Sequence, residues 1–436
     1  MFEVRSMSKL QAVVLGLVAL ALLCGAPAKS FAAKKKEAAP APAPKPPKPL
    51  PNFTTIVFPA APAVPRLRYL DFFSAERPDV PVDKKDKPKE KASWMDRLAG
   101  VSPDSGKETG KPKPRFQLLA PYGLAVDSTG LLYVADTKVG AIFIFNTENN
   151  DVQLIKHGTD AHFKAIFGLA IDDADNLFVV DGDAHHVLVF DKKHKLVSGF
   201  GDSELRDPCG IAIDSENRLI YVADVDLDQV LVFDADSYKL VRKLGVTGKK
   251  HVSTEIGEFS KPTNVAVDKD GNVYITDTLN DRVEIFDADG NFIRTWGKNG
   301  DGPGDFARPK GIAIDADGHV WVADAMLNRL QVFTPEGYLL MAIGSFGIMP
   351  GQFETLTGLT VDSKNRVFTA EQMLGRVQMF RYYTNAESKA ELEQRQNEAK
   401  KAAEERDAKK KSNATSKPGM KLPEAPAAPA ATPPAK

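Results

Sequence analysis

Cysteine is nearly absent from this 436-residue chain, which contains only Cys24 and Cys209. Removal of an amino-terminal segment containing Cys24 would leave no disulfide possible within the chain. The sequence lacks a Cys-x-x-Cys-His motif, which excludes c-type haem attached in the usual way. It also lacks a Gly-x-Ser-x-Gly elbow and a phosphate-binding glycine loop, so nucleophilic and nucleotide chemistry have no visible basis. We therefore predict no catalytic residue, no metal ligand and no cofactor.

Long apolar runs are also scarce, and the one at Leu10–Leu23 lies near the amino terminus. A run of about 14 residues is short for a membrane span and is typical of a secretory signal peptide. We predict a signal peptide over 1–32, cleavage near Ala32/Ala33, and a periplasmic or secreted protein. A lipoprotein anchored through Cys24 is the less favoured alternative, because Leu23 stands where a lipobox has Gly or Ala.

Repetition dominates the rest of the chain, where one pattern occurs six times between residues 121 and 362. Each copy has an apolar run that ends on Asp, a turn, and a second run such as Tyr133-Val134-Ala135-Asp136. The first runs end on aspartates 42 to 54 residues apart, namely Asp127, Asp172, Asp214, Asp268, Asp315 and Asp362. Short β-branched and aromatic runs bounded by Gly, Asn or Asp predict strands. Four such runs in each repeat of about 45 residues predict a propeller blade.

The sixth repeat has only three strands of its own, because a long polar stretch follows Tyr383. Residues 66–72 show the alternation of the missing fourth strand, and we predict that they complete blade six and remove its exposed edge. The alternative is an extended arm on the surface. The predicted fold class is all-β, a six-bladed β-propeller of four-stranded antiparallel blades with disordered or helical termini.

These repeats resemble the NHL-repeat family, most clearly from Trp296 to Asp315 and in the later Asn328-Arg329 pair. Blades four and five match best. Blades one and two lack the Asn-Arg pair, and blade six has Glu371 where the family has Asp. The resemblance implies a six-bladed propeller. For function it implies a protein- or RNA-binding platform, a sensor domain, or in some cases a metal-dependent lyase or lactonase.

The flanking segments differ from the repeats in composition. Runs of Ala, Pro and Lys cannot bury a core, and Ala/Glu/Lys-rich stretches without an apolar stripe favour a solvated helix. The predicted divisions are an Ala/Pro/Lys-rich linker over 33–65, a propeller over 66–381 with a Lys-rich insertion at 73–115 and blades over 116–381, a charged helical segment over 382–411, and a disordered Pro/Ala-rich tail over 412–436.

Charge is distributed unevenly along the chain. Counting Lys and Arg against Asp and Glu gives about −14 for 116–381, whereas the whole chain carries −1. An acidic propeller argues against nucleic acid as a partner, because phosphates require a basic face. The basic flanks predict at most a peripheral contact with anionic envelope polymers.

The recurring strand-end carboxylates could suggest a cation site, but short carboxylates in this position accept backbone N–H groups of the following turn. Where Arg follows five residues later, as Arg282 after Asp277 and Arg329 after Asp324, we predict ion pairs between strands. The only near-cluster of histidines is interpreted as exposed loop side chains rather than zinc ligands: His157, His162, His185 and His186.

The loops make a better case for function. Positions leading into the innermost strands share no residue type, as expected of a variable site: Tyr122, Phe167, Cys209, Thr263, Lys310 and Thr357. Loops between second and third strands carry apolar side chains where polar ones are expected: Leu227, Leu279, Met326, Leu327, Met373 and Leu374. They form a protein-contact rim if they are exposed, or pack between blades if they are not. Cys209 is interpreted as an inert buried thiol.

We therefore predict an exported, non-enzymatic scaffold that binds an envelope protein. The binding residues are expected in the aliphatic loops and, at the channel mouth, at Tyr122, Phe167 and Lys310. Two alternatives stay open, a metal-dependent lyase or lactonase-like hydrolase and a sensor that holds a small ligand or glycan in the channel.

Overall fold

The computed structural model describes residues 56–60, 63–75, 116–149, 151–155, 163–246 and 255–415. Within them, 25 strands form six antiparallel sheets, and the innermost strands contact one another in a closed ring. The protein is a six-bladed β-propeller. The predicted signal peptide, most of the linker and the Lys-rich insertion, and the carboxy-terminal tail after Thr415 lie outside the described residues. Residues 412–415, predicted to belong to the disordered tail, continue the helix that precedes them.

The strands follow the repeats closely. Two amino-terminal strands are β1 (Val57–Phe58) and β2 (Leu67–Phe73). Blade one contains β3 (Pro121–Val126), β4 (Leu131–Asp136), β5 (Ala141–Asn146) and β6 (Val152–Ile155). Blade two contains β7 (Ile166–Ile171), β8 (Leu177–Asp181), β9 (His186–Phe190) and β10 (Leu196–Phe200). Blade three contains β11 (Pro208–Asp214), β12 (Leu219–Asp224), β13 (Gln229–Asp234) and β14 (Leu240–Leu244).

The second half of the ring has the same plan. Blade four contains β15 (Pro262–Val267), β16 (Val273–Asp277), β17 (Arg282–Phe286) and β18 (Phe292–Trp296). Blade five contains β19 (Pro309–Ile314), β20 (Val320–Asp324), β21 (Arg329–Phe333) and β22 (Leu339–Ile343). Blade six contains β23 (Leu356–Val361), β24 (Arg366–Glu371) and β25 (Arg376–Tyr382), and helix α1 (Asn385–Thr415) follows it.

Blade six is closed by the amino-terminal strand. β2 pairs antiparallel with β25, from Leu67 opposite Tyr382 to Phe73 opposite Val377. β2 thus occupies the place that the sequence assigns to residues 66–72. The two-residue strand β1 pairs with the outer edge of β2 and gives this blade a fifth strand, which the repeat pattern does not predict.

The core lies between blades, where apolar faces of neighbouring sheets meet. The innermost strands approach closely because the third residue of five of them is Gly, whereas blade four has Asn264 there. At Gly358 an added Cβ would collide with the carbonyl oxygen of Tyr122 in the next blade. The narrow channel therefore depends on these glycines.

The first turns of α1 are docked on blade six. The Arg68 guanidinium lies 2.8 Å from a Glu391 carboxylate oxygen, and Ser388 is fully buried. From residue 397 to 409 every side chain is exposed. The predicted helix is present, but the prediction that it is solvated throughout is wrong for its first three turns, because an ion pair replaces the apolar stripe. Among the described residues, no helix combines the length and apolar character needed to cross a membrane.

Candidate functional site

The strand-end carboxylates hold the scaffold together. Each is fully buried at the end of the second strand of its blade: Asp136, Asp181, Asp224, Asp277, Asp324 and Glu371. Asp324 is representative, since its oxygens accept the N–H groups of Ala307 and Arg308 before the blade and of Met326 and Leu327 after the strand. This geometry supports the structural interpretation of these carboxylates, because their lone pairs are taken by N–H donors of the scaffold. The donors belong to the backbone in blades one, two, three and five, and mainly to side chains at Asp277 and Glu371.

Of the two predicted ion pairs, one is confirmed. Arg282 Nε lies 2.9 Å from Asp277 Oδ2. The prediction for Arg329 and Asp324 is wrong. Because Asp324 already accepts four backbone N–H groups, Arg329 instead donates to the Asp301 carbonyl at 3.0 Å. The second pair is found in blade six, where a carboxylate one carbon longer brings Glu371 Oε1 to 2.6 Å from Arg376 Nε.

No group of three or more His, Cys, Asp or Glu residues is placed to hold a metal ion within the part of the chain that the structure describes. Of the predicted near-cluster of histidines, His157 and His162 lie outside that part. His186 Nδ1 lies 3.1 Å from Asp202 Oδ1.

Three predicted residues meet at one end of the channel. The Tyr122 and Phe167 rings are in edge-to-face contact with centroids 5.3 Å apart, and Lys310 Nζ lies 5.7 Å from the Tyr122 centroid. The Tyr122 hydroxyl forms a 3.2 Å hydrogen bond with the Cys209 sulfur. These side chains are the second residues of innermost strands rather than loop residues, and they join blades one, two, three and five across the mouth.

The residues at the channel mouth contact one another and leave the mouth narrow. Burial raises the pKa of Cys209 to about 11, as expected of an unreactive thiol. Thr357 at the same level donates to the Pro121 carbonyl of the next blade at 3.3 Å. A cavity of about 240 Å³ follows the channel and is lined mainly by the innermost strands. The volume of this cavity admits only a small ligand, and Lys310 lies over the Tyr122 ring beside it without lining it.

The predicted aliphatic loops divide into two groups. Met326 and Met373 are strongly exposed, at 66% and 72%. Leu227 packs against the core between blades two and three. Leu327 and Leu374, which directly follow these two methionines in the chain, are half-buried. Leu279 of blade four is half-buried as well. In these loops the methionines are therefore exposed, whereas the leucines are partly buried and contribute to the scaffold.

One exposed apolar segment is missed by the sequence patterns. Loop 344–355, which leads into β23, exposes Phe346 by 71%, Ile348 by 64% and Met349 by 56%. Phe353 in the same loop is fully buried and anchors it. The signal that would have revealed the segment is an alignment of this loop with loop 297–308 of the preceding blade.

Loops 297–308 and 344–355 have the same length and the same backbone hydrogen bonds. In the first, Gly304 N donates to Gln331 Oε1, and in the second Gly351 N donates to Gln378 Oε1, both at 2.9 Å. The buried anchors Phe306 and Phe353 correspond. The side chains that face solvent differ, since Asn299, Asp301 and Gly302 stand where loop 344–355 has Phe346, Ile348 and Met349.

Loop 344–355 lies between the two exposed methionines. Arg376, three residues after Met373, donates to the Ile348 carbonyl at 2.6 Å. Asn328, two residues after Met326, accepts the Thr355 N–H at 2.7 Å. The exposed apolar side chains on this part of blades five and six are called the apolar rim: Met326, Phe346, Ile348, Met349 and Met373.

The remaining blades lack this character at the position of the two methionines. The equivalent residues, two after the strand-end carboxylate, are Lys138, Asp183 and Asp226 in blades one to three. Blade four has the half-buried Leu279. The rim is therefore a feature of one side of the ring and does not follow from the repeat.

The family comparison agrees with the fold. Residues 158–248 and 253–330 match a family described as a 6-bladed beta-propeller. A structural genomics protein of unknown function from Bacteroides thetaiotaomicron is similar in structure, with a TM-score of 0.50 and 16% identity over 61% of this chain and 70% of that chain. At this identity the similarity concerns the fold alone.

Two curated relatives share part of the propeller. A probable peptidyl-alpha-hydroxyglycine alpha-amidating lyase of Caenorhabditis elegans is 34% identical over 108 residues, which cover 24% of this chain and 30% of that protein. Protein brain tumor of Drosophila melanogaster is 26% identical over 143 residues, covering 32% of this chain and 13% of that protein. The chain thus spans less than a third of the length of either relative.

Proposed function

We propose that this chain, an NHL-type six-bladed β-propeller, is an exported, non-enzymatic platform that binds an envelope protein through the apolar rim. The repeats form the scaffold, and the residues that depart from the repeat pattern recognise the partner protein. Export is part of the proposal and rests on the signal-peptide pattern at the amino terminus.

The observation that carries the proposal is the pair of matched loops. Loop 297–308 shows that the same backbone, anchor and hydrogen bonds need no apolar side chain at the solvent-facing positions. Loop 344–355 nevertheless places Phe346, Ile348 and Met349 there, where exposure costs free energy unless a partner covers them. The fold does not require these residues, so recognition is their expected role.

The rim also has the composition and rigidity of a contact surface. Arg376 and Gln378 hold the backbone of loop 344–355 through the carbonyls of Ile348 and Gln352. A pinned loop loses little conformational entropy on binding. Aromatic and methionine side chains are enriched in interface cores because they offer large, adaptable apolar surfaces.

The test replaces the three rim residues of loop 344–355 without touching the anchors. In the variant Phe346→Asn, Ile348→Asp, Met349→Ser, small polar residues like those of loop 297–308 replace the apolar ones. We expect capture of envelope proteins by the immobilised mature chain to fall by about tenfold or more, as for loss of interface hot spots. Quantitative mass spectrometry of the captured proteins provides the measurement.

A matched control removes similar apolar surface elsewhere. Val197, Val241 and Leu340 on the outer strands of blades two, three and five are each about half exposed. Replacing all three by Ser should leave the captured proteins unchanged. Equal loss in both variants would mean that the captured proteins adhere nonspecifically, and no loss in the rim variant would place recognition elsewhere.

A second candidate function is lyase- or lactonase-like chemistry in the channel, favoured by the similarity to the amidating lyase over 108 residues. It requires the small cavity beside Tyr122 and Lys310 to accept a substrate. Calorimetric titration of the purified protein with Zn²⁺ and Ca²⁺ tests it. Stoichiometric binding that Lys310→Met or Tyr122→Phe alters would favour this candidate.

A further inference from the structure

We propose that Met326, Met349 and Met373 form an oxidative modification site, at which two-electron oxidants such as hydrogen peroxide or hypochlorous acid convert the apolar rim into a polar surface. The inference rests on the proposed function, because it gives the same rim a means of regulation. It extends to the chemistry of three named sulfur atoms.

The distribution of methionine is the first observation. The described residues contain five methionines, and three of them lie on the rim with exposures of 56% to 72%. Met379 is only 6% exposed in the core between blades six and one, and Met341 is partly buried against the core between blades five and six. Among these five methionines, exposed sulfur is thus concentrated on one surface.

The scaffold does not require sulfur at these positions. Met349 corresponds to Gly302 in loop 297–308, which has the same hydrogen bonds. Met326 and Met373 correspond to Lys138, Asp183 and Asp226 in other blades. Leucine or isoleucine would provide similar apolar area, so an oxidisable side chain adds a property that packing alone does not need.

The chemistry balances without a cofactor. A thioether lone pair attacks an oxygen of hydrogen peroxide, the O–O bond breaks as an S–O bond forms, and water leaves after proton transfer. Sulfur loses two electrons and the peroxide gains them; with hypochlorous acid the leaving group is chloride. The product, methionine sulfoxide, is polar and can be reduced by methionine sulfoxide reductases.

The one thiol among the described residues, Cys209, is shielded from the same reaction. Cys209 is buried at the channel mouth, where its sulfur forms a hydrogen bond with the Tyr122 hydroxyl. Burial raises its pKa to about 11, so the reactive thiolate is scarce at neutral pH. Thioethers need no deprotonation. Within the described residues, oxidation is therefore directed to the rim methionines.

The effect on binding follows from desolvation. A contact that buries three sulfoxides must strip water from three strong dipoles, which costs free energy unless the partner offers donors. Phe346 and Ile348 do not undergo this conversion and keep part of the apolar area. We expect oxidation to weaken rim contacts by about tenfold or more, reversibly.

The experiment first measures selectivity. The mature protein is treated with limiting hydrogen peroxide, and sulfoxide at each methionine is quantified by peptide mapping. Met326, Met349 and Met373 should be oxidised about tenfold faster than Met379, because susceptibility follows exposure. Oxidation of Met379 at the same rate as the rim would overturn the proposal. Met95 and Met420 are mapped separately.

The second measurement follows the surface itself, as retention on a phenyl-substituted resin before oxidation, after oxidation, and after treatment with methionine sulfoxide reductases. Retention of the parent should fall and then recover. In Met341→Leu, Met379→Leu the same fall is expected, because the rim is intact. In Met326→Leu, Met349→Leu, Met373→Leu oxidation should change retention little. An unchanged parent, or an equal fall in the rim variant, would overturn the proposal.

The two proposals can fail separately. If the unoxidised chain captures no envelope protein but its phenyl retention falls on oxidation, the proposed function fails and the modification site stands. If capture depends on the rim yet is unchanged when all three sulfoxides are present, the proposed function stands and the modification site does not regulate it.

Discussion

Loops 297–308 and 344–355 are two solutions to one structural task. Both leave an outer strand, bury a phenylalanine, exchange hydrogen bonds with a glutamine side chain on the third strand of the next blade, and enter an innermost strand. One is polar at its surface and the other apolar. The difference teaches that anchoring and exposure are controlled by separate positions, so surface character can change without loss of the loop.

The largest effect is expected from removing the strands that pack in the same core as the anchor of loop 344–355. Deleting residues 56–73 removes β1 and β2, bares the edge of β25 and takes Leu67 and Tyr69 from the core that contains Phe353. Because each buried large residue contributes about 2–5 kcal/mol, we expect the variant to unfold or aggregate. Thermal unfolding measures this effect.

If a partly folded state survives, hydrogen exchange should show loop 344–355 unprotected and loop 297–308 less affected. As a control, truncation after residue 396 keeps the docked turns of α1 and removes the helix from residue 397, where the side chains are exposed as far as residue 409, and the residues after it. The unfolding free energy should then change by less than about 0.5 kcal/mol. A similar response to both deletions would contradict the role of the closing strand.

The two arginines that pin the loops should differ in importance. Arg376 also pairs with the fully buried Glu371, whereas Arg329 donates to carbonyls of Asp301 and Gly302. Arg376→Met should cost about 3–5 kcal/mol, because it leaves a buried charge unpaired. Arg329→Met should cost about 0.5–1.5 kcal/mol, the value of an ordinary hydrogen bond. Urea unfolding compares them.

A double variant tests the reason for this difference. Adding Glu371→Gln to Arg376→Met removes the stranded carboxylate and should recover a large part of the lost stability. No recovery would mean that Arg376 acts mainly by holding the Ile348 carbonyl.

At the opposite ends of blades five and six, equivalent pairs differ in whether they titrate. His319 Nδ1 lies 2.9 Å from Asp315 Oδ2, and Arg366 Nε lies 2.6 Å from Asp362 Oδ2. The hydrogen bond to Asp315 raises the pKa of His319, and burial opposes it only in part. The protonated pair therefore stabilises the fold fully below about pH 6.5 and loses that contribution as pH rises through the raised pKa.

His319→Arg should make blade five resemble blade six in this respect. Unfolding free energies measured from about pH 5 to about pH 8 should decline less steeply in the variant than in the parent. Asp317, Arg66 and Tyr382 also face His319 and are unchanged by the substitution. If the unfolding free energies of variant and parent change equally with pH, the His319–Asp315 pair makes no pH-dependent contribution to stability.

The smallest effect on stability is expected from a reciprocal graft. Asp301→Ile, Gly302→Met gives loop 297–308 two of the apolar side chains of loop 344–355 and keeps Asn299, whose Nδ2 donates to the buried Asp281 at 2.7 Å. Because the anchor Phe306 is kept, the free energy of unfolding should change by about 0.5 kcal/mol or less. Retention on a phenyl resin should increase. Marked destabilisation would show that exposure and anchoring are not separable.

The sequence predicts the scaffold well because each repeat carries its own strand pattern and turn residues. It also predicts the meeting of Tyr122, Phe167 and Lys310, since equivalent positions of innermost strands converge on the channel. Because the blades are arranged around a ring, residues at the same position of different repeats lie at the same level of the channel.

Side-chain exposure within loops is harder to predict. Phe346 and Phe353 are identical residues seven positions apart, and only tertiary packing leaves one exposed and buries the other. Likewise the pattern cannot tell whether Arg329 meets a carboxylate or a carbonyl, because the choice depends on which acceptors are already occupied. Alignment of one repeat on another recovers part of this information.

The closing strand has a consequence for the order of folding. Arg66 and Asn385, which meet through a side-chain hydrogen bond beside the closed blade, are 319 positions apart in the chain. Contacts of such high order form late, because the entropy of closing so long a loop is paid before the contact contributes. During synthesis β2 must therefore wait for nearly the whole propeller before it can pair with β25. Blades one to five can assemble in turn from local contacts, whereas blade six completes the circle in a single final step.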